Sequence, residues 1–358
     1  MKRFICLLLI LSFALGVFAC GNAGTANNAT EPSETKAAVQ KDDGVLKILL
    51  FGHSLGNDSI WMLPDVFTNE SPDTKIVLGF LYYSGCPVAK HVQYAEEKSA
   101  VYAYCEFDSQ KDTYWRVALG SGEFRALTRG DSLDAEIPGA GIGQTSYFAM
   151  QQHDWDIILT QGYPWEVTKV PDNGYDPDLS GNYQKLQQYM LDNDIDKETT
   201  PQFGWNMVWT FPDDDDLIRE RDRQIMTQFF GTVDKYYTKT AEVVRDELMP
   251  KFNFDYVLPA STAYINALSG YKTTKEMYRD FAHASDFGRL MVAYLWYCGL
   301  TGTNIADCKF APIDYNYMKD EMLFLMKQDV AISEEDKQTI IEVVGNALAK
   351  PYEITPKA

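Results

Sequence analysis

Residues 45–54 read VLKILLFGHS, an apolar run that ends in a glycine, a histidine and a serine. Short continuous apolar runs of this kind are typical of strands that are buried on both faces of a parallel sheet. A second run, KIVLGFLYY, spans residues 75–83, and a third, WDIILT, spans residues 155–160. Because stretches with helical patterning separate such runs along the chain, the sequence predicts a layered α/β domain with a mainly parallel sheet.

Further segments complete a predicted five-stranded sheet, namely FGWNMVWTF at residues 203–211 and FDYVLP at residues 254–259. Between residues 100 and 127, the aromatic-rich segments VYAYCEF and TYWRVAL are separated by polar turn residues, which predicts a small antiparallel insertion. C-terminal helices are predicted within residues 303–350, near Tyr315–Asp329 and Ser333–Ala349.

The N-terminal 43 residues are predicted to hold an export signal followed by a tether. Basic residues precede an apolar stretch that ends at Ala19, which predicts a signal peptide over residues 1–19. The end of this stretch resembles the lipobox of bacterial lipoproteins, in which the cysteine, here Cys20, is lipidated. An ordinary signal peptide with an incidental Cys20 is the alternative. Residues 20–43 predict a flexible tether, so we expect the folded domain, residues 44–358, to be held by lipid at the outer face of a bacterial membrane.

Charge and composition exclude several classes of protein. The 358 residues include 51 Asp+Glu against 32 Lys+Arg, a formal net charge of −19. No excess of cations is available to neutralise phosphates, so electrostatic binding to nucleic acid or to anionic membranes is not expected. A hydrophobic content of 46% with 13% aromatic residues argues against disorder. The composition fits an exported protein that acts on small or neutral substrates.

Two polar motifs point to nucleophilic catalysis. Ser54 leaves the first apolar run in a Gly-x-Ser turn, and ligands of such sheets bind beyond the carboxyl ends of the strands. Asp280 and His283 are three residues apart near the C-terminal end, a spacing that lets a carboxylate orient an imidazole. Serine is a poor nucleophile without such a base, so the three residues predict a Ser-His-Asp site.

These motifs resemble those of the SGNH (GDSL-type) hydrolase superfamily and, within it, the DUF4886 group. The matching segments, in chain order, are Gly52–Ser54, Gly85–His91, Trp155–Gln161, Trp205–Trp209 and Asp280–His283. The resemblance implies a flavodoxin-like three-layer α/β/α fold, and it implies hydrolysis of esters, often O-acyl groups on carbohydrates, without a cofactor.

The resemblance also implies residue roles. Ser54 would be the nucleophile, His283 the general base and then acid, and Asp280 the carboxylate that orients His283. The oxyanion hole would use the backbone amides of Ser54 and Gly85. Its third donor departs from the superfamily pattern, because Gln161 stands where an asparagine is usual, and the longer side chain makes donation depend on the local geometry.

Other residues are open to two interpretations. His91 either binds substrate in the pocket or is an ordinary, partly buried histidine. Tyr163 and Trp165 could stack on a sugar or belong to the core. Cys86, Cys105, Cys298 and Cys308 allow three disulfide connectivities, among which Cys298–Cys308 is favoured; buried thiols are the alternative. No cysteine or histidine spacing indicates a metal site.

Together these features predict a surface-anchored serine esterase that acts on O-acyl groups of extracellular carbohydrate or on similar small esters. The alternative is a lipoprotein that uses the same pocket to bind carbohydrate without turnover.

Overall fold

The predicted apolar runs lie side by side in the centre of the protein. The structure is a computed structural model that describes residues 44–111, 115–127, 143–170, 178–196, 199–252, 254–316, 327–330 and 332–357. In these ranges the strands are β1 (Val45–Gly52), β2 (Lys75–Tyr82), β3 (Ala103–Asp108), β4 (Arg116–Ala118), β5 (Phe124–Ala126), β6 (Ile157–Thr160), β7 (Gln202–Asn206), β8 (Tyr256–Leu258), β9 (Ile313–Asn316) and β10 (Lys327–Val330).

Helices connect and cover the strands. They are α1 (Ser54–Ile60), α2 (Leu63–Glu70), α3 (Val88–Glu97), α4 (Ser146–Met150), α5 (Pro164–Val167), α6 (Leu179–Asp192), α7 (Glu220–Phe229), α8 (Val233–Val243), α9 (Met249–Phe252), α10 (Ala260–Leu268), α11 (Thr274–Met277), α12 (Asp286–Thr301) and α13 (Glu334–Ala349). A π-helical stretch (Val244–Leu248) joins α8 to α9, and a 3-10 turn (Ile305–Asp307) follows α12.

The main sheet of the described residues has eight strands in the order β5-β4-β3-β2-β1-β6-β7-β8. Strands β2, β1, β6, β7 and β8 are parallel, whereas β3, β4 and β5 are antiparallel and extend the β2 edge. The predicted α/β class and mainly parallel sheet are confirmed, but the predicted count of five strands is wrong. Because β3 pairs with β2 from Val77 to Tyr82, the predicted insertion becomes part of the sheet.

Burial explains why β1 could be recognised from its sequence. Residues Ile48 to Phe51 are fully buried, as expected for a central strand that is covered on both faces. Helix α12 is buried along most of its length, and Ser285 caps its N-terminus, because the serine side chain accepts a hydrogen bond from the Gly288 amide.

The prediction of a helix near Tyr315–Asp329 is wrong at both of its ends. Strands β9 and β10 occupy those positions and pair antiparallel, with Ile313 opposite Val330. The C-terminal helix is confirmed as α13, and the Ser333 side chain caps it by accepting from the Asp336 amide at 3.0 Å. No helix in the described part of the chain is both long and apolar enough to cross a membrane. The predicted signal peptide and tether, with Cys20, lie outside the described residues.

Candidate active site

The carboxyl ends of three neighbouring strands carry three of the predicted site residues. Parallel pairing brings the ends of β1, β2 and β6 level with one another. Ser54 begins α1 just after β1, Gly85 follows β2, and Gln161 follows β6 directly. The structure therefore brings Ser54, Gly85 and Gln161 to one edge of the sheet, where ligands of open α/β sheets bind.

The start of α1 is fixed by His53. Its Nδ1 accepts a hydrogen bond from the Leu55 amide at 3.4 Å, and its Nε2 donates to the Gly162 carbonyl at 3.4 Å. Burial lowers the pKa of His53 to about 4, the Gly162 carbonyl opposes this shift, and the charge of His283 adds to it. Ser54 is the first helical residue, so its backbone N–H has no acceptor within the helix. That N–H is available to a developing negative charge.

Asp280 and His283 form a hydrogen-bonded pair in a tight turn. The carboxylate accepts from the His283 ring nitrogen Nδ1 at 2.9 Å and from the amides of His283 and Ala282 at 2.8 and 2.9 Å. Partial burial opposes ionisation of Asp280, but these bonds and the charge of His283 hold its pKa well below the usual value. An ionised Asp280 fixes the Nδ1–H tautomer of His283, which leaves Nε2 as a proton acceptor.

The two distant segments of the predicted site meet in the structure. Asp58 of α1 accepts a hydrogen bond from the amide of Ala284, the residue after His283, at 2.8 Å. The charge of His283 also contributes to the lowered pKa of Asp58, after the larger effects of burial, which opposes the shift, and of two arginines. In the part of the chain that the structure describes, no hydrogen bond joins the Ser54 hydroxyl to His283.

Gln161 is enclosed more tightly than the sequence indicates. Its side chain is fully buried against Gly52 and Gly56, and a Cβ atom on Gly56 would lie 2.6 Å from its Oε1. Oε1 accepts a hydrogen bond from Nδ2 of Asn206 at 3.0 Å, whereas Nε2 has no partner among the described residues. The predicted role of Gln161 as an oxyanion donor stays a prediction, and the unpaired Nε2–H is the group that could fulfil it.

Two of the three predicted substrate-binding residues lie in the core. His91 is fully buried and its Nδ1 lies 2.9 Å from the Tyr102 hydroxyl; burial lowers its pKa to about 3, with a smaller contribution from His53. Trp165 is 1% exposed and stacks on Tyr236 at 4.9 Å between ring centroids. For both residues the structure supports the core interpretation that the sequence left open.

Tyr163 keeps a position at the edge of the site. It is half-buried, its ring centroid lies 5.6 Å from that of His53, and it faces Gly85, where an added Cβ would lie 3.8 Å from its ring. Gly85 has a φ of 58°, in the left-handed region that favours glycine. The half-buried Phe281 lies beside the Asp280–His283 pair, with its ring centroid 5.5 Å from that of His283.

Glu166 lies next to the candidate site, although its sequence context did not predict this position. Its buried carboxylate accepts hydrogen bonds from the amides of Val88 and Ala89, at the start of α3, at 3.0 and 3.2 Å, and from the Tyr163 amide at 3.2 Å. It thereby joins the loop after β2 to the loop after β6. The sequence feature that could have indicated this position is an acidic residue in the first turn of a helix that begins with proline, because such a carboxylate is placed to accept from free backbone amides.

No group of three or more histidine, cysteine, aspartate or glutamate side chains in the described ranges is arranged to hold a metal ion. Cys298 and Cys308, the favoured pair, have their Sγ atoms 3.9 Å apart as thiols. Cys86 and Cys105 are buried thiols as well, and burial raises the pKa of Cys86 well above its usual value. The structure thus places the favoured partners side by side without a bond between them.

The fold is that of a layered α/β protein, and its candidate site is a group of polar residues at the carboxyl ends of the parallel strands. Among solved structures, the chain is similar to a DUF4886 family protein from Bacteroides uniformis ATCC 8492, with 19% identity, a TM-score of 0.61, and coverage of 87% of this chain and 97% of that chain. This similarity shows a shared fold and supports the likeness to DUF4886 proteins. No family model and no curated protein matches the sequence.

Proposed function

We propose that this protein is a serine esterase of the SGNH type that acts on O-acyl groups of extracellular carbohydrate. One observation carries the proposal: a hydrogen-bonded Asp280–His283 pair is attached to the helix that begins with Ser54. When an oriented imidazole comes within hydrogen-bond reach of a serine at a helix N-terminus, it activates the serine hydroxyl for attack.

The proposed mechanism uses three side chains. His283 Nε2 removes the proton of the Ser54 hydroxyl while Ser54 Oγ attacks the acyl carbonyl, and Asp280 stabilises the imidazolium that forms. His283 then returns the proton to the leaving alcohol, and water repeats the cycle on the acyl-enzyme. The backbone amides of Ser54 and Gly85 would stabilise the negative charge on the carbonyl oxygen, each worth about 3 kcal/mol in such sites.

The order of the parallel strands supports the assignment to an SGNH-type fold. Five strands of the sheet are parallel and lie side by side in the order β2, β1, β6, β7 and β8. If these five alone are numbered as they occur along the chain, their order across the sheet is 2-1-3-4-5. This is the order of flavodoxin-like sheets, in which ligands bind at the carboxyl ends beside the first strand. Ser54 follows that strand.

Aromatic side chains near the pair support a carbohydrate substrate. The half-buried ring of Tyr163 lies beside His53, and that of Phe281 lies beside His283 with the Arg219 guanidinium over one face. The remaining ring faces offer apolar surfaces on which a sugar ring can stack. The proposed lipid anchor at Cys20 would place the enzyme outside the cell, where acylated glycans and small esters are its accessible substrates.

The test is ester turnover by the purified protein and by its Ser54→Ala variant. The panel contains p-nitrophenyl acetate, p-nitrophenyl butyrate, acetylated xylan and its deacetylated form. The proposal expects wild-type turnover of the acylated substrates and a loss of about 10⁴-fold or more in kcat in Ser54→Ala. Equal hydrolysis by the two proteins would contradict it.

A second candidate is a binding protein that uses the same pocket without turnover. The observation that favours it is that no hydrogen bond joins Ser54 to His283 within the described ranges. Calorimetric titration with acetylated xylan separates the candidates. Binding of equal affinity by wild type and Ser54→Ala, without hydrolysis by either, would favour the binding protein.

A further inference from the structure

A buried carboxylate connects the two halves of the proposed site. Asp58 of α1 is fully buried, and it accepts hydrogen bonds from Nη1 of Arg279 at 2.8 Å, from Nε of Arg289 at 3.0 Å and from the Ala284 amide at 2.8 Å. All three donors come from a segment more than two hundred residues later in the chain. Asp58 therefore joins α1 both to the segment before α12, through Arg279 and Ala284, and to α12 itself, through Arg289.

The position of Asp58 relative to the proposed catalytic groups is specific. It lies four residues after Ser54 in α1, so the two side chains are neighbours on one face of the helix. Its partner Ala284 directly follows His283 in the chain. A displacement at Asp58 would therefore move the imidazole relative to the serine hydroxyl.

Arg279 extends the connection to the other carboxylate. Besides Asp58, it donates to the Ala284 carbonyl at 2.6 Å, and its Nε lies 3.8 Å from Oδ2 of Asp280. An uninterrupted series of charged contacts thus leads from α1 through Arg279 to Asp280, and from Asp280 to His283.

We propose that Asp58 is a positioning residue that holds His283 in register with Ser54. This inference rests on the proposed esterase function and deepens it, because Asp58 acts through the Arg279–Ala284 segment without contacting substrate. Buried ion networks are often replaceable by apolar side chains at no loss of stability. The ion network around Asp58 joins the two segments of the proposed catalytic site. Its directional hydrogen bonds fix the position of one segment relative to the other more closely than apolar packing would.

The test compares Asp58→Asn with a matched control. Asparagine keeps the shape of the side chain and removes the charge that two guanidinium groups share. The control is Glu106→Gln, because Glu106 is also buried in an ion cluster, with Arg116 and with His153 at 2.9 Å, but lies on β3 in the antiparallel part of the sheet. Both variants are expected to lower the Tm.

Activity distinguishes the two variants. Because a displacement of about 1 Å can cost 10²-fold in rate, Asp58→Asn is expected to lower kcat by about 10²-fold with KM nearly unchanged. The rate at which a fluorophosphonate probe labels Ser54 should fall in parallel. Glu106→Gln is expected to keep kcat within about twofold of wild type despite its lower Tm.

If Asp58→Asn does not fold, a second variant tests the same proposal. Arg279→Lys keeps the positive charge, but a single ammonium group cannot contact Asp58, Ala284 and Asp280 together. It should lower kcat and the labelling rate by about tenfold at unchanged KM.

Wild-type kcat in both Asp58→Asn and Arg279→Lys, or an equal loss in Glu106→Gln, would overturn the positioning role while the esterase function stands. Absence of wild-type turnover would overturn the function and, with it, this inference.

Discussion

Oδ2 of Asp280 lies 2.9 Å from Nδ1 of His283, and the same carboxylate accepts a hydrogen bond from the backbone amide of His283. The aspartate therefore fixes both the ring and the backbone of the proposed base. If Asp280 sets the tautomer of His283, Asp280→Asn should reduce kcat by about 10⁴-fold with little change in KM. The asparagine amide can donate to Nδ1, which favours the tautomer with its proton on Nε2, and that tautomer cannot accept the serine proton. Steady-state kinetics with p-nitrophenyl acetate measure this.

The control for that experiment is Asp307→Asn, which removes an exposed carboxylate from the 3-10 turn after α12. Its kcat should stay within about twofold of wild type, as for most surface substitutions. Wild-type kcat in Asp280→Asn would remove Asp280 from the mechanism and leave His283 to be oriented by other contacts.

Two buried histidines predict a loss of stability in mild acid. The folded protein lowers the pKa of His53 to about 4 and that of His91 to about 3, mainly by burial, from an ordinary value of 6.5. As the pH falls below 6.5, the unfolded chain takes up protons on these rings while the folded chain does not. The free energy of unfolding should therefore decrease between pH 7 and 4, by about 3 kcal/mol from His53 alone.

Urea unfolding at pH 7.5, 6.0 and 4.5 measures this dependence, and His53→Asn isolates one contribution to it. Asparagine is a good helix N-cap that does not titrate, so α1 keeps a capping residue. The stability difference between pH 7.5 and 4.5 should shrink by about 2–3 kcal/mol in the variant. An identical difference in both proteins would show that His53 is protonated equally in the folded and unfolded chains.

Elements buried on both faces could be predicted from the sequence, and those that depend on distant pairing could not. The apolar run that begins at Val45 coincides with β1 because a central parallel strand is apolar along its whole length. The segment at residues 203–211 is as apolar, yet β7 ends at Asn206, since β8 offers partners only from Gly204 to Asn206. Strands β9 and β10 stabilise each other by pairing, which no local pattern at Tyr315–Asp329 reveals.

The same distinction applies to the site. The spacing of Asp280 and His283 is local, so their contact could be predicted from a turn. Asp58 and its partner Arg289 are separated by 231 residues, and each looks like an ordinary charged residue of a helix. Only the fold shows that both are buried and in contact. The enclosure of Gln161 depends likewise on the strand order, which places it against α1.

A side chain at Gly56 should destabilise the protein. A Cβ atom there would lie 2.6 Å from Oε1 of Gln161 and 2.9 Å from the side chain of Leu50. Gly56→Ala would displace the Gln161 amide and weaken its bond to Asn206, so we expect a loss of about 1–3 kcal/mol in the free energy of unfolding together with a lower kcat. Urea unfolding and ester kinetics report the two effects.

Gly345→Ala is the matched control within helix α13. There the nearest atom to an added Cβ is Cγ2 of Ile305 at 3.4 Å, and alanine is the better helix former by up to about 1 kcal/mol. This variant should be as stable as wild type or more so, with unchanged kcat. Equal behaviour of Gly56→Ala and Gly345→Ala would contradict the tight packing of Gln161 against α1.

The thiols of Cys298 and Cys308, 3.9 Å apart, should form a disulfide under oxidising conditions. Incubation with oxidised glutathione transfers two electrons to the glutathione disulfide, forms one S–S bond and releases two reduced glutathiones. The protein mass then falls by two hydrogen atoms. Closing this short loop should raise the free energy of unfolding by about 2–3 kcal/mol.

Cys298→Ala separates this effect from oxidation elsewhere. The variant should show neither the mass change nor the gain in stability, because the remaining thiols of Cys86 and Cys105 are buried in the sheet region, away from Cys308. Peptide mapping of the oxidised wild-type protein should find Cys298 linked to Cys308. A link that involves Cys86 or Cys105 would require the buried strand end after β2, or β3 itself, to open, and would contradict the arrangement of sulfur atoms seen here.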